Sequence, residues 1–169
     1  MLEPDLPIAE AAVVARATLI AAAGTLPGIS TEVWMGGAHS LSGSEMLAEA
    51  LGEAWILDAA GEMPAALRGA ALLWAPCVFP DIDGSPSREE RIHALVARAV
   101  AAIRGGEAPS AVYTVCQHGM NRSGLLAGLL LRELGMEGDQ VVALIREKRP
   151  GALSNQAFVR MILRERREG

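Results

Sequence analysis

The chain is poor in cysteine: Cys77 and Cys116 are the two in 169 residues. Neither has Cys or His companions at metal-ligand spacing, so neither a zinc site nor a disulfide framework is expected, and no metal or cofactor is called for. Such usage fits a reducing cytoplasm. Lysine is scarcer, with Lys148 alone. Aromatic residues make up 4%, and no stripe of basic and aromatic side chains stands out. With a net charge of −5, this leans against nucleic acid as a partner. Long apolar runs are missing too: Arg16 breaks the longest candidate before it nears membrane-spanning length. Glu3 and Asp5 stand where a secretory signal wants positive charge. The expectation is a cytoplasmic protein with no membrane partner.

Apolar residues supply 51% of the chain, with alanine heavily used. At this length one α/β domain with a proper core is expected. The alanine-rich run 8–23, stopped by Gly24 and Pro27, predicts a helix. Residues 32–37 predict a short strand ending at Gly36 and Gly37. Ser42 and Glu45 have capping-box spacing for a helix to about Leu51. Residues 54–57 predict a buried strand, and 72–79 another, which contains Cys77. Residues 79–86 are loop by composition. Ser87 and Glu90 form a second capping box, for a helix to Arg104 that Gly105 and Gly106 end. Asp139 and Ser154 are candidate caps for two further helices, the first stopped by Pro150. Strands alternating with helices predict the α/β class, with a central, mostly parallel sheet flanked by helices.

The informative stretch is Cys116-Gln117-His118-Gly119-Met120-Asn121-Arg122-Ser123. A β-branched, aromatic run (111–115) precedes it, and an apolar run without alternation (125–131) follows, so it reads as strand, tight loop, helix. Such a loop presents backbone N–H groups at a helix N-terminus, where orphan donors and the helix dipole attract an anion. A helix N-terminus and a guanidinium both lower a thiol's pKa, and the thiolate is the nucleophile. Arg122 can hold two phosphate oxygens in a bidentate fork. Gly119 lets the loop turn back with φ > 0. Ser123 can hydrogen-bond the sulfur and help it depart. A cysteine with arginine six residues on arises by chance for roughly one cysteine in twenty; the glycine, the serine and the flanking elements make the pattern specific. The expected ligand is a phosphate ester, and the expected chemistry is phosphoryl transfer to sulfur followed by hydrolysis. Cys116, Arg122 and Ser123 are the candidate catalytic residues here. Gln117, His118, Gly119, Met120 and Asn121, with Arg122, are the candidate substrate-binding ones.

Cys-x5-Arg-Ser with Gly at the third spacer position resembles the cysteine-dependent protein phosphatases, in particular their dual-specificity branch. Residues 32–37 resemble that family's first core strand, and residues 55–60 its next. Lys148-Arg149-Pro150-Gly151 with Asn155 resembles its Arg-Pro…Asn segment. The resemblance spans roughly residues 32–163 and implies a phosphatase domain over 31–169, with 1–30 as an N-terminal helical extension. The family usually has His before the cysteine, where it helps to set the thiolate pKa; here the residue is Val115. The resemblance also implies that Asn155 ties the helix behind the loop by hydrogen bonds.

An aryl or alkyl oxide leaves poorly, so the reaction needs a proton donor. The family carries one about thirty residues before the cysteine, which leaves Asp81 and Asp83, 35 and 33 residues before Cys116. Asp83 matches the family's loop better, and is expected to act later as base on the hydrolytic water. The implied substrates are phosphotyrosine and, beyond it, phosphoserine and phosphothreonine in proteins, or small phosphoesters. Other readings are an RNA 5′-triphosphatase, whose loops read Cys-x-His-Gly-x-Asn-Arg, a phosphoinositide phosphatase, and a pseudophosphatase that holds phosphate without turnover. Rhodaneses do not usually share the Gly-x-x-Arg-Ser ending. Arsenate reductases and low-molecular-weight phosphatases carry their loop near the N-terminus, not two-thirds along. Cys77 reads as a core residue; were its strand to neighbour that of Cys116, a protective disulfide could form between them on oxidation.

Overall fold

The computed structural model describes residues 17–37, 52–61, 63, 65–82 and 89–164. Its centre is strand β5 (Ala111–Cys116), buried at every position. A strand covered on both faces needs a continuous apolar run rather than alternation, and Ala-Val-Tyr-Thr-Val-Cys supplies one. Around it stand β1 (Thr18–Ala21), β2 (Glu32–Gly37), β3 (Ala54–Asp58) and β4 (Leu73–Pro76), in the order β1-β2-β5-β3-β4. The pairs β2–β5, β5–β3 and β3–β4 are parallel, and only the edge strand β1 runs antiparallel, as the α/β reading expected.

Alternate residues of β5 enter opposite faces. Val112 and Cys116 join the larger core, with Val33, Met35 and Leu57. Ala111, Tyr113 and Val115 join a smaller apolar cluster with Ile56 and Met63. The larger core is closed by α2 (Glu89–Arg104), α3 (Arg122–Glu133), α4 (Gly138–Lys148) and α5 (Gln156–Leu163); the short α1 (Ala65–Ala70) leads into β4. Helix α2 buries Ile92, Val96, Ala99 and Ile103, one stripe at helical spacing. Helix α3 is apolar all round and lies buried from Ser123 to Arg132. Its Gly128 allows α5 to close in, for a Cβ there would stand 2.4 Å from Ile162 Cδ1. Among the described residues no helix is long and apolar enough to cross a membrane.

Four expectations need correction. The helix over 8–23 gives way at Thr18–Ala21 to a strand that pairs with β2; alanine's helix propensity yields there to sheet pairing of a segment with Thr and Ile. Residues 17, 22 and 23 are not helical either, and residues 8–16 fall outside the described residues, as do the helix of 42–51 and Ser87. The strand over 72–79 is confined to Leu73–Pro76, so Cys77 follows it. Helix α4 is capped at Glu137, with Asp139 in its first turn, and α5 is capped by Asn155 rather than Ser154. Finally, β3 lies between β4 and β5. Cys77 and Cys116 therefore stand two strand spacings apart, roughly 9–10 Å, beyond the reach of a disulfide without backbone movement.

Candidate active site

Cys116 closes β5 with 3% of its surface exposed. From there the chain turns through 117–121 and enters α3 at Arg122, the strand–loop–helix expected. The sulfur accepts a hydrogen bond from the Gly119 N–H at 3.2 Å and is hydrogen-bonded to Ser123 Oγ at 3.4 Å. Ser123 is fully buried, and the Thr114 hydroxyl bridges its carbonyl (2.9 Å) and that of Trp34 (3.1 Å), stitching helix start to sheet. Gly119 has φ +74° and packs against the end of β2.

Arg149 stands behind this loop with 5% exposure. Its Nε donates to the Gly119 carbonyl at 2.6 Å, its Nη2 to the His118 carbonyl at 3.4 Å, and its Nη1 to Thr18 Oγ1 on β1 at 2.8 Å. In a trans peptide the C=O and N–H point opposite ways. Drawing the His118 carbonyl back to Arg149 therefore sends the Gly119 N–H forward, where it meets the sulfur. Burial lowers the Arg149 pKa from its ordinary value, and the nearby Cys116 acts the other way. Two cations, Arg122 and Arg149, thus belong to one small loop. The Val115 side chain sits in the apolar cluster on the opposite face of the sheet, fully buried. No polar group at that position reaches toward the sulfur.

Arg122 opens α3, and its Nη1 donates to the Phe79 carbonyl at 3.4 Å. Asn121 is one of the loop's candidate substrate-binding residues. It has no capping bond to α3 and instead ties the loop outward: its Nδ2 donates to Asp81 Oδ2 (3.0 Å) and Ser154 Oγ (3.1 Å), while its Oδ1 accepts from the Asn155 N–H (3.0 Å). Asn155 completes the set. Its Oδ1 accepts from the Ala157 and Phe158 N–H groups, and its Nδ2 donates to Asp81 Oδ1 (2.7 Å) and the Ile82 carbonyl (2.9 Å). Because backbone N–H groups fix both amide oxygens, both amides can only donate to Asp81. These residues line a cleft of about 370 Å³ with Gln156. Gln117 and His118 are exposed at the loop, and Met120 is half-buried. Asp83 lies outside the described residues.

The structure thus brings Cys116, Gly119 and Ser123 into direct contact, while Arg122 is bonded to the Phe79 carbonyl and Asn121 to Asp81. Sequence reasoning missed the parts played by Thr18 and Arg149. Arg149 carried only its likeness to the Arg-Pro segment, and Thr18 carried no signal, being 131 positions away. Asp58 was also missed: fully buried at the end of β3, it accepts from the Ala60 and Gly61 N–H groups and from Trp74 Nε1, and so shapes the turn beside β5.

No protein-family model and no curated protein sequence matches the chain. Solved structures do. Human DUSP28 superposes with a TM-score of 0.62 at 20% identity, over 95% of this chain and 94% of that one. The Yvh1 phosphatase domain from Chaetomium thermophilum gives 0.60 at 16% identity, over 82% and 91%. The human tyrosine phosphatase-like serine/threonine/tyrosine-interacting protein gives 0.61 at 15% identity, over 88% and 93%. At such identities the likeness is one of architecture. The chain has the fold of the dual-specificity and tyrosine phosphatases.

Proposed function

We propose that the chain is a metal-independent cysteine phosphatase that hydrolyses phosphotyrosine, and phosphoserine or phosphothreonine where the pocket admits them, through a phosphocysteine intermediate. The observation that carries this reading is the Cys116 sulfur taking the Gly119 N–H at the start of a buried helix whose first residue is Arg122. In the proposed reaction the thiolate attacks phosphorus as the alkoxide or aryloxide departs with a proton from Asp83. Arg122 and the loop amides hold the equatorial oxygens, whose charge they match better in the transition state than in the ester. Water then attacks the phosphocysteine, giving a proton to the Asp83 carboxylate, and the sulfur leaves with its charge eased by the Ser123 hydroxyl. The acid role is given to Asp83 on its match to the family's loop, and the two amides that bind the Asp81 oxygens support a structural part for Asp81. A nucleophilic thiol of this kind suits a reducing compartment such as the cytoplasm.

Cys116→Ser is expected to abolish release of phosphate from p-nitrophenyl phosphate and phosphotyrosyl peptide while vanadate still binds, with the wild type unaffected by EDTA. Turnover that survives in the variant, or that EDTA stops in the wild type, overturns the mechanism. Vanadate binding by a wild type that turns over none of a panel of phosphopeptides, phosphoinositides and RNA 5′-triphosphate favours the pseudophosphatase reading.

A further inference from the structure

Thr18 stands on the edge strand β1, next to β2 and two strands away from β5. It is nevertheless part of the phosphate loop's support. Its Oγ1 accepts from Arg149 Nη1 at 2.8 Å, and the other arms of the same guanidinium hold the His118 and Gly119 carbonyls. A guanidinium is planar and its donors lie in a fixed fork, so a partner on one arm sets the direction of the others. The fit is close: a Cβ on Gly119 would fall 2.7 Å from Arg149 Nη2. What the fork does to the two carbonyls decides where the next N–H groups point, and one of those, Gly119 N–H, is on the sulfur. Val115, facing the other side of the sheet, adds nothing polar to that sulfur.

We propose that Thr18 is a positioning residue for the phosphatase reaction: its hydroxyl aims the Arg149 guanidinium, which turns the loop amides onto the Cys116 sulfur and the bound phosphate. The inference rests on the function proposed above, yet its signature appears before any turnover. A thiolate that loses an N–H donor and a well-placed cation is less stable, so its pKa rises. The same amides bind oxyanions, so vanadate binding weakens in step.

The experiment compares the wild type with Thr18→Val, Thr18→Ser and Arg149→Lys. For each, the rate of iodoacetate alkylation of Cys116 is followed against pH, in a Cys77→Ser background, with vanadate affinity and thermal unfolding measured alongside. Thr18→Val keeps the shape of threonine and removes the acceptor. It is expected to move the alkylation midpoint upward and weaken vanadate about tenfold, in the range of one hydrogen bond to a charged group. Thr18→Ser, which keeps the hydroxyl, is expected to match the wild type. Arg149→Lys, which keeps the charge but loses the fork, is expected to behave like Thr18→Val. A Thr18→Val midpoint and vanadate affinity equal to the wild type overturn the proposal. So does a Thr18→Ser variant as impaired as Thr18→Val, since the impairment would then not follow the hydroxyl. If Thr18→Val does not fold, an unshifted thiol in Arg149→Lys overturns it instead. Because the thiol midpoint needs no substrate, a shift found in a chain that hydrolyses nothing would sink the proposed activity and leave the positioning role standing.

Discussion

Replacing Gly119 by alanine puts a methyl group where the loop crosses the end of β2. The added Cβ would stand 2.3 Å from the Gly36 carbonyl carbon and 2.4 Å from the Gly37 nitrogen, against ordinary contacts that begin at 3.4 Å. Both neighbours are backbone, held in register against β5 by the pairs Gly36↔Val115 and Gly37↔Cys116. They cannot swing aside as a side chain can. The loop must therefore retreat by about 1 Å, and alanine must also accept a φ of +74°. Left-handed backbone costs an L-residue about 1–2 kcal/mol, which lowers Tm by about 2–8 °C in a domain of this size. The larger effect is on the chemistry. A displacement of about 1 Å in a reacting constellation costs about a hundredfold in rate, or about 2.7 kcal/mol of transition-state stabilisation. The assay is kcat/KM on p-nitrophenyl phosphate, with the vanadate inhibition constant and Tm measured on the same preparation. Turnover and vanadate affinity both within about a factor of three of wild type would refute the claim that the loop's position against β2 sets its anion site.

The two loop carboxylates are separable by leaving group: Asp83→Asn is expected to slow phenyl phosphate far more than an activated aryl phosphate and to remove the alkaline fall in kcat. Asp81→Asn sets an amide N–H against one of the amide donors that now bind it. It is expected to lower kcat for all esters and keep that alkaline fall; the reverse pattern would make Asp81 the acid. Burial, and behind it the charge of Glu32, pushes the Tyr113 hydroxyl up to about 12 from 10.0. The fold thus favours the protonated phenol, and that contribution is complete below about pH 10 and lost as pH rises to about 12. Tm measured from pH 9 to 12 should therefore fall less steeply in Tyr113→Phe than in the wild type, and parallel curves would show that the phenol does not titrate with unfolding.

The strand, loop and helix around Cys116 were legible because their parts are covalent neighbours. A strand composition, a Cys-x5-Arg-Ser spacing and an apolar helix fall within about twenty residues, and local chemistry is what a sequence displays. The alternation of strands and helices fixed the class for the same reason. The first strand was not legible, since an alanine-rich run states a helical preference and says nothing of the sheet edge waiting for Thr18–Ala21. The supports of the loop were hidden by distance along the chain. Asn121 meets Asp81 across 40 positions and Asn155 meets it across 74. An asparagine that joins two loops looks, in sequence, like one that turns a single loop. Asp81 and Asp83 stay rivals for the acid: Asp81 accepts from two asparagine amides, and Asp83 lies outside the described residues. The cysteine pair failed on topology alone, because one intervening strand cannot be read from two apolar segments.

The loop runs straight into Arg122, the first residue of the most deeply buried helix among the described residues. That loop is welded to the interior and offers little room for adjustment. Retargeting such a chain, by evolution or by an engineer, would have to work at the rim. There the exposed side chains of Gln117, His118, Ile82 and Gln156 can change while nothing beneath them moves.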